Sequence, residues 1–183
     1  APVMIEIIGI RYCRLGTTDL ATTVDYARNT IGLEEVGRKS GFVYLRGDHR
    51  DHNICYFQGD PADHTLALEI ATFEEPAAAA NIPTDAGLTV RHGSEEDAAS
   101  RRVMGFINFN DPTGNSIDLV VRPFHSGRRY FPSRDAGITE FSHVGLKTSD
   151  ARRDEAFWSG LFNIRANDRI GDAALMSFDE VHH

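Results

Sequence analysis

The chain has 183 residues, 41% of them hydrophobic and 25% charged, a composition typical of a soluble globular protein. Its formal net charge of −8 argues against a nucleic-acid partner, because phosphate binding needs a basic surface. No apolar run approaches the roughly 20 residues that span a bilayer, so we expect no membrane partner. Both cysteines, Cys13 and Cys55, fall inside predicted strands and are expected to be buried thiols, which suits a reducing cytoplasm.

The first predicted module has the order strand, helix and three strands. An alternating, β-branched run at residues 6–13 predicts the first strand, and Thr17, Thr18 and Asp19 are helix-start signals. Apolar residues at helical spacing then predict a helix from Leu20 to about Thr30. Short strands are predicted at residues 33–38, 41–46 and 53–57.

A second module follows in the same order. Its predicted elements are a strand at 64–71, a helix at 73–80 that Pro83 limits, and strands at 87–92, 103–110 and 115–121. Between the last two strands, residues 111–115 read DPTGN, in which proline and glycine supply the backbone angles of a tight turn. The acidic run at 95–97 predicts either a solvated face or a helix start.

A third module begins at residue 138, after a predicted linker at 125–137. It predicts a strand at 139–146, a helix at 151–161 capped by Ser149 and Asp150, and strands at 162–169 and 173–178. Trp158 lies on the apolar face of this helix and is expected to pack in the core. The sequence stops where a fourth strand should begin, so we expect a longer protein to complete this part.

An internal repeat connects the first and third modules. When residues 15–52 are shifted by 131 positions without a gap, identical residues coincide at several places: Leu15 with Leu146, Thr17 with Thr148, Asp19 with Asp150, Arg38 with Arg169, Asp48 with Asp179, and His52 with His183. The shift also preserves the order of strands and helix, which indicates duplication. We therefore predict an N-terminal domain at 1–124, made of modules at about 6–61 and 62–124, and the start of a second domain at 138–183.

Three motifs in this repeated order resemble one known family. Residues 111–119, DPTGNSIDL, resemble a signature of the glyoxalase/vicinal-oxygen-chelate superfamily. Residues 141–146, FSHVGL, resemble the opening strand of the catalytic half of type I extradiol dioxygenases. Residues 179–183, DEVHH, resemble a later strand of that half, most closely in biphenyl-diol and dihydroxy-cumate enzymes. The resemblance implies an α+β fold of βαβββ modules and a two-domain dioxygenase architecture with the second domain incomplete.

The resemblance also implies a chemistry and a site. Such enzymes bind Fe(II), sometimes Mn(II), through two histidines and a carboxylate, which leaves positions open for a catecholate and O2. His143 occupies the position of the first metal ligand, and the other two ligands would lie beyond residue 183. His183 occupies the position of the active-site histidine that is not a ligand and helps to deprotonate the catechol. The family relation further implies a small aromatic diol as substrate and a homo-oligomer.

Several alternatives stay open at this point. His143 could be a buried structural histidine, and His182 could replace His183, since the choice rests on the repeat and the resemblance. Histidines at the end of a chain can also come from an expression tag. A glyoxalase-like enzyme and a non-catalytic protein that binds an aromatic ligand share the same fold.

The first half offers a weaker set of candidate metal ligands. Tyr12 stands at the position of His143, His64 begins the second module, and Asp118 stands at the usual glutamate position of the DPTGN signature. These three residues make a poor metal site, because a neutral tyrosine is a weak ligand and aspartate is one carbon short. We expect them to be polar relics, and we expect His49 and His52 to be solvated in a charged loop.

Overall fold

Eight strands join into one sheet in the computed structural model, which describes residues 5–71, 81, 83–123, 129–131, 144–170 and 173–177. The strands of the sheet are β1 Ile7–Thr17, β2 Glu34–Lys39, β3 Phe42–Arg46, β4 Ile54–Gln58, β5 His64–Ile70, β6 Arg91–His92, β7 Val103–Asn110 and β8 Ser116–Pro123. Their order is β2-β3-β4-β1-β5-β8-β7-β6. A separate hairpin is formed by β9 Arg165–Ile170 and β10 Ala173–Ser177.

The sheet order shows two modules joined edge to edge. In each module the first strand lies parallel to the last, β1 to β4 and β5 to β8. The two first strands, β1 and β5, pair antiparallel at the centre of the sheet. The predicted α+β arrangement of repeated modules is therefore confirmed.

Three α-helices lie wholly within the described residues, and each begins at a residue whose side chain caps it. Helix α1 spans Leu20–Tyr26 and continues as a π-helical turn over Ala27–Ile31, α2 spans Glu95–Arg101, and α3 spans Ala151–Leu161. Asp19, Ser94 and Asp150 accept hydrogen bonds from the backbone N–H groups of the first turns of α1, α2 and α3. None of the helices in the described part of the chain is long and apolar enough to cross a membrane.

The second module differs most from its prediction. Of the strand predicted at 87–92, only Arg91–His92 is paired. The acidic run at 95–97 begins helix α2, because Ser94 caps it and three carboxylates in the first turn favour the positive end of a helix. The predicted helix at 73–80 and most of the predicted linker at 125–137 lie outside the described residues.

The largest core cluster lies between the second-module half of the sheet and helix α3. Leu66, Leu68 and Ile70 of β5 alternate onto this face, as the two-residue period of a strand requires. Trp158 is 7% exposed there, and its ring stacks on Phe162 with the centroids 5.1 Å apart. The prediction that Trp158 packs in the core is confirmed.

From its helix onward, the third module repeats the first in its local structure, whereas residues 144–148, the counterparts of 13–17 in β1, are not in a strand. With the shift of 131, helix α1 begins where α3 begins, β2 coincides with β9, and β3 coincides with β10 at both ends. The hairpin registers also agree, since the pair Glu34 and Arg46 corresponds to the pair Arg165 and Ser177. Both hairpins contain an irregularity between their second and third pairs, at corresponding residues of β2 and β9. A duplication explains this agreement better than chance does.

Candidate functional site

The residues predicted to carry the chemistry are His143 and His183, with His182 as an alternative, and all three lie outside the described residues. The structure does describe their counterparts in the first module. The shift of 131 places Tyr12 at the position of His143 and His52 at that of His183. These two counterparts lie together, with their rings stacked at a centroid distance of 5.0 Å and an angle of 18° between the planes.

Tyr12 belongs to a row of residues that runs straight across the sheet. In the strand registers, Tyr12 pairs with Ala67, Ala67 with Asp118, and Asp118 with Asn108. Because paired residues on neighbouring strands face the same side, Tyr12 and Asp118 lie on either side of the small Ala67 side chain. The Tyr12 hydroxyl therefore reaches across and donates to Asp118 Oδ2 at 2.9 Å.

The Asp118 carboxylate is fully engaged by protein donors. It is 0% exposed, and Arg101 Nε donates to Oδ2 at 2.6 Å while Asn108 Nδ2 donates to Oδ1 at 2.8 Å. A buried charge needs a partner of opposite sign, and the Arg101 guanidinium provides one. In this half of the protein, a side chain supplies the positive charge that a metal ion would otherwise bring to the carboxylate.

Tyr12 is held as a neutral phenol. Burial raises the pKa of Tyr12 well above its ordinary value, and the neighbouring Asp118 carboxylate raises it further. Only the phenolate is a good metal ligand, so this environment opposes coordination by Tyr12. The interpretation of Tyr12 and Asp118 as polar relics without a bound metal agrees with this geometry.

His64 does not join Tyr12 and Asp118, so the structure does not bring the three weak candidate ligands of the first half together. His64 pairs with Leu15, three residues along β1 from Tyr12. By the alternation of β5, His64 shares the face of Leu66 and Leu68, whereas Ala67 faces Tyr12. The nearest hydrogen-bonding contact of His64 is Asn115 Oδ1, at 3.4 Å from Nε2.

The prediction that His52 is solvated is also wrong, although His49 is exposed as expected. His52 is 4% exposed and lies between Tyr12, on which it stacks, and Tyr44, whose ring meets it edge-on at 5.0 Å. The loop can be buried because its carboxylates have partners. Asp51 accepts from His52 Nδ1 at 2.9 Å and pairs with Arg102.

The hydrogen bond to Asp51 fixes the tautomer of His52. Burial lowers the pKa of His52, and this outweighs the nearby Asp51, so the ring is neutral near pH 7. Since a carboxylate only accepts, Nδ1 carries the proton, and Nε2 presents a lone pair. Nε2 is buried and has no hydrogen-bond partner among the described residues.

A small cleft opens beside His52 and Tyr12. Its lining includes four arginines, Arg11, Arg50, Arg101 and Arg102, and one carboxylate, that of Asp51. Asp51 is already ion-paired with Arg102, so this lining offers no unpaired carboxylate to a metal cation. Across the described part of the chain, no group of three or more His, Cys, Asp or Glu side chains is placed to hold a metal.

Comparison with known proteins identifies relatives along most of the chain. A 1,2-dihydroxynaphthalene dioxygenase of Sphingobium xenophagum is 29% identical over 164 residues, which are 85% of this chain and 55% of that protein. A biphenyl-2,3-diol 1,2-dioxygenase of Sphingomonas paucimobilis is 30% identical over 173 residues, which are 90% of this chain and 58% of that protein. The chain is related to the extradiol dioxygenases. It spans between half and two thirds of the length of these two relatives.

Solved structures of extradiol dioxygenases share the fold. A catechol 2,3-dioxygenase matches 98% of this chain and 66% of its own, with a TM-score of 0.76 and 24% identity. A variant of homoprotocatechuate 2,3-dioxygenase from B. fuscum matches 96% of this chain and 51% of its own, with a TM-score of 0.80 and 19% identity. No family model matches the chain.

Within this extradiol-related chain, sequence reasoning missed His52 and Arg101. A signal for His52 was present, because the repeat already paired it with His183. Nothing comparable marked Arg101, since its pairing with Asp118 depends on how helix α2 packs beside β8.

Proposed function

We propose that this protein is an extradiol dioxygenase that inserts both atoms of O2 into a catechol-type aromatic diol and opens the ring beside the diol. The observation that carries the proposal is the ungapped repeat that relates the first module to the third. It gives His143 and His183 the positions of Tyr12 and His52, two rings that face each other inside the first half. The relatedness to extradiol dioxygenases supports the same reaction.

The position of Tyr12 suits a metal ligand when histidine occupies it. From this position a side chain extends over the sheet towards the carboxylate at the position of Asp118, since the Tyr12 hydroxyl contacts Asp118 at 2.9 Å. A neutral imidazole has a lone pair for a divalent metal, which the buried Tyr12 phenol lacks. We therefore assign His143 as one ligand of a site that takes two histidines and one carboxylate.

The position of His52 suits an acid–base group. There the ring is held by packing on two tyrosines, while Nε2 keeps its lone pair. We assign His183 the task of accepting a proton from the substrate hydroxyl, for which a pKa near neutrality is well suited. Its neighbour His182 takes the position of Asp51, the residue that accepts the hydrogen bond of His52.

The implied metal is Fe(II), with Mn(II) as an alternative. When bound, it would be chelated by the two diol oxygens of the substrate, would lower the pKa of the substrate hydroxyl and would bring O2 beside the ring. The residues of this chain would hold the metal through His143 and move the proton through His183. We further propose that the substrate is a fused or substituted catechol, because the relatives are named for dihydroxynaphthalene and biphenyl-diol.

The test is anaerobic loading followed by exposure to O2. The intact protein is loaded with Fe(II) or Mn(II), mixed with 1,2-dihydroxynaphthalene, biphenyl-2,3-diol or catechol, and then exposed to O2. We expect uptake of one O2 per substrate and a coloured ring-opened product, with no turnover in a His143→Ala variant that has lost the metal. Binding of the diols without O2 uptake under any of these conditions would favour a non-catalytic binding protein instead.

A further inference from the structure

The start of helix α3 is fastened to the turn between β7 and β8. Asp154 is 6% exposed, and its carboxylate accepts hydrogen bonds from Thr113 of that turn and from Thr148. Ser149 N also donates to Thr113 Oγ1, at 3.1 Å. These contacts join the third module to the second.

The turn that receives Asp154 is rigid. Asp111 Oδ1 accepts from the backbone N–H groups of Thr113, Gly114 and Asn115 at 2.8–3.1 Å. Gly114 has a φ of +104°, which a residue with a side chain rarely adopts. Asn115 Nδ2 then donates to the carbonyl of Lys147 at 2.9 Å, so the same turn also holds the segment that leads into the helix.

The first module shows what is special about Asp154. In the repeat, Thr148 corresponds to Thr17 and Asp154 to Thr23, and the Thr17 and Thr23 hydroxyls are likewise bonded, at 2.7 Å. The contact at this position is therefore a feature of the module itself. Of these two modules the third has a carboxylate there, and that carboxylate reaches Thr113 of the neighbouring module.

The far end of α3 is also held by the N-terminal half. Ile5 N donates to the carbonyl of Leu161 at 2.9 Å, and the Asn163 side chain bonds both backbone groups of Ile7 at 2.7 and 3.0 Å. Between these two ends, Trp158 and Phe162 pack on the sheet. The helix is thus fixed at both ends, and the contacts of the β7–β8 turn with Lys147, Ser149 and Asp154 hold the end that lies nearer His143 in sequence.

We propose that Asp154 and Thr113 are positioning residues for the metal site assigned to His143. Their contact, together with that of Asn115, holds residues 144–150 against the N-terminal half, called the silent half because it carries no proposed metal ligand. Residue 144 directly follows His143 in the sequence. The inference rests on the proposed function. It gives the N-terminal half a role in the reaction, as the fixed base against which the segment next to His143 is aligned.

The test compares two identical substitutions in the intact protein. Thr113→Val removes the hydroxyl that joins the modules, whereas Thr23→Val removes a hydroxyl contact inside the first module, and Thr113→Ser is the rescue variant. Hydrogen exchange of amides 144–153 is measured without metal, and Fe(II) affinity and kcat against KM are measured anaerobically and in turnover. Loss of a hydrogen bond to a charged group corresponds to about tenfold in an equilibrium constant.

We expect Thr113→Val to speed exchange in 144–153 about tenfold and to weaken Fe(II) binding severalfold, with Thr23→Val near wild type and Thr113→Ser restored. Equal exchange or equal Fe(II) affinity for the two valine variants would overturn the positioning role. If the wild-type protein binds no Fe(II) or Mn(II), the proposed function fails and the positioning role with it. The exchange data then still decide whether the fastening exists.

Discussion

The first and third modules share one scaffold but differ in what they place on it. Helix start, hairpin register and hairpin irregularity coincide at a shift of 131, down to the bond from the Asp19 and Asp150 backbone N–H groups to the preceding threonine hydroxyls. Most side chains differ between the two copies, and three of the differences bear on the site and its packing: tyrosine against histidine at 12 and 143, alanine against tryptophan at 27 and 158, and threonine against aspartate at 23 and 154. The local backbone structure was thus kept after duplication, while the side chains diverged and gave each copy a different role.

These differences separate the first module, in which protein groups pair the polar side chains around Tyr12, from the third module, which is proposed to bind a metal. Around Tyr12 every strong polar group of the row has a protein partner, with Arg101 balancing Asp118. A histidine at the position of Tyr12 would leave a lone pair for an external cation. The comparison predicts that activity depends on one copy and stability on both.

The largest effect should come from substitution of His183, with its counterpart in the repeat, His52, as the matched control. His183→Gln removes the proposed proton acceptor and should lower kcat by about 100- to 10,000-fold, with metal content unchanged. His52→Gln changes the same position of the silent copy and should leave kcat near wild type. Steady-state turnover with a diol substrate, together with metal analysis, distinguishes the two.

His182→Gln is the neighbouring control and should lower kcat far less than His183→Gln. Equal losses for His52→Gln and His183→Gln would mean that the first module takes part in the reaction. A larger loss for His182→Gln would transfer the acid–base role to that residue.

Trp158 tests how much more the helix of the third module contributes to the core than the helix of the first. Its counterpart Ala27 is also buried, but its side chain is small. Trp158→Ala leaves a cavity between α3 and the sheet and should lower the free energy of unfolding by about 3–5 kcal/mol. Urea unfolding followed by circular dichroism measures it. Phe131→Ala, at an aromatic residue that is 67% exposed, should change stability by no more than about 0.5 kcal/mol. A loss below 1 kcal/mol for Trp158→Ala would show that α3 is not held by this contact.

Much of the scaffold could be predicted, because strand and helix periodicity and capping residues are local signals. The helix at 151–161 and the strand at 103–110 were placed to the residue. The alternation of side chains along the predicted strand at 64–71 could also have shown that His64 shares the face of Leu66 and Leu68. His64 therefore points away from Tyr12.

The burial of the loop at 47–53 could not be predicted from its composition. Its charged residues indicate a solvated loop, yet Asp48 is 1% exposed because Arg50 and Asn53 satisfy its carboxylate. Such pairing depends on side chains meeting in three dimensions. The same is true of Arg101, which reaches Asp118 from a helix that composition left open between two interpretations.

The buried ion pair between Arg101 and Asp118 can be tested by a substitution at Asp118. Asp118→Asn keeps the shape but leaves the Arg101 guanidinium without its counter-charge, so we expect a loss of about 2–3 kcal/mol in the free energy of unfolding. Glu35→Gln removes the partner of two largely exposed arginines, Arg28 and Arg38, and should cost no more than about 1 kcal/mol. Equal costs in urea unfolding would contradict a charge balance specific to Asp118.

The smallest effect concerns pH and distinguishes the two histidines of one loop. Because burial lowers the pKa of His52, the unfolded chain takes up a proton before the folded protein does as the pH falls below about 6.5. Stability contributed by the neutral ring is therefore complete above that pH and is lost below it, by at most about 1.4 kcal/mol per pH unit for one proton. His52→Gln should flatten this part of the profile between pH 7 and 5, whereas His49→Gln, at an exposed residue, should not. A profile that stays as steep in His52→Gln would place the acid sensitivity elsewhere and remove the assignment of His52 as the neutral counterpart of His183.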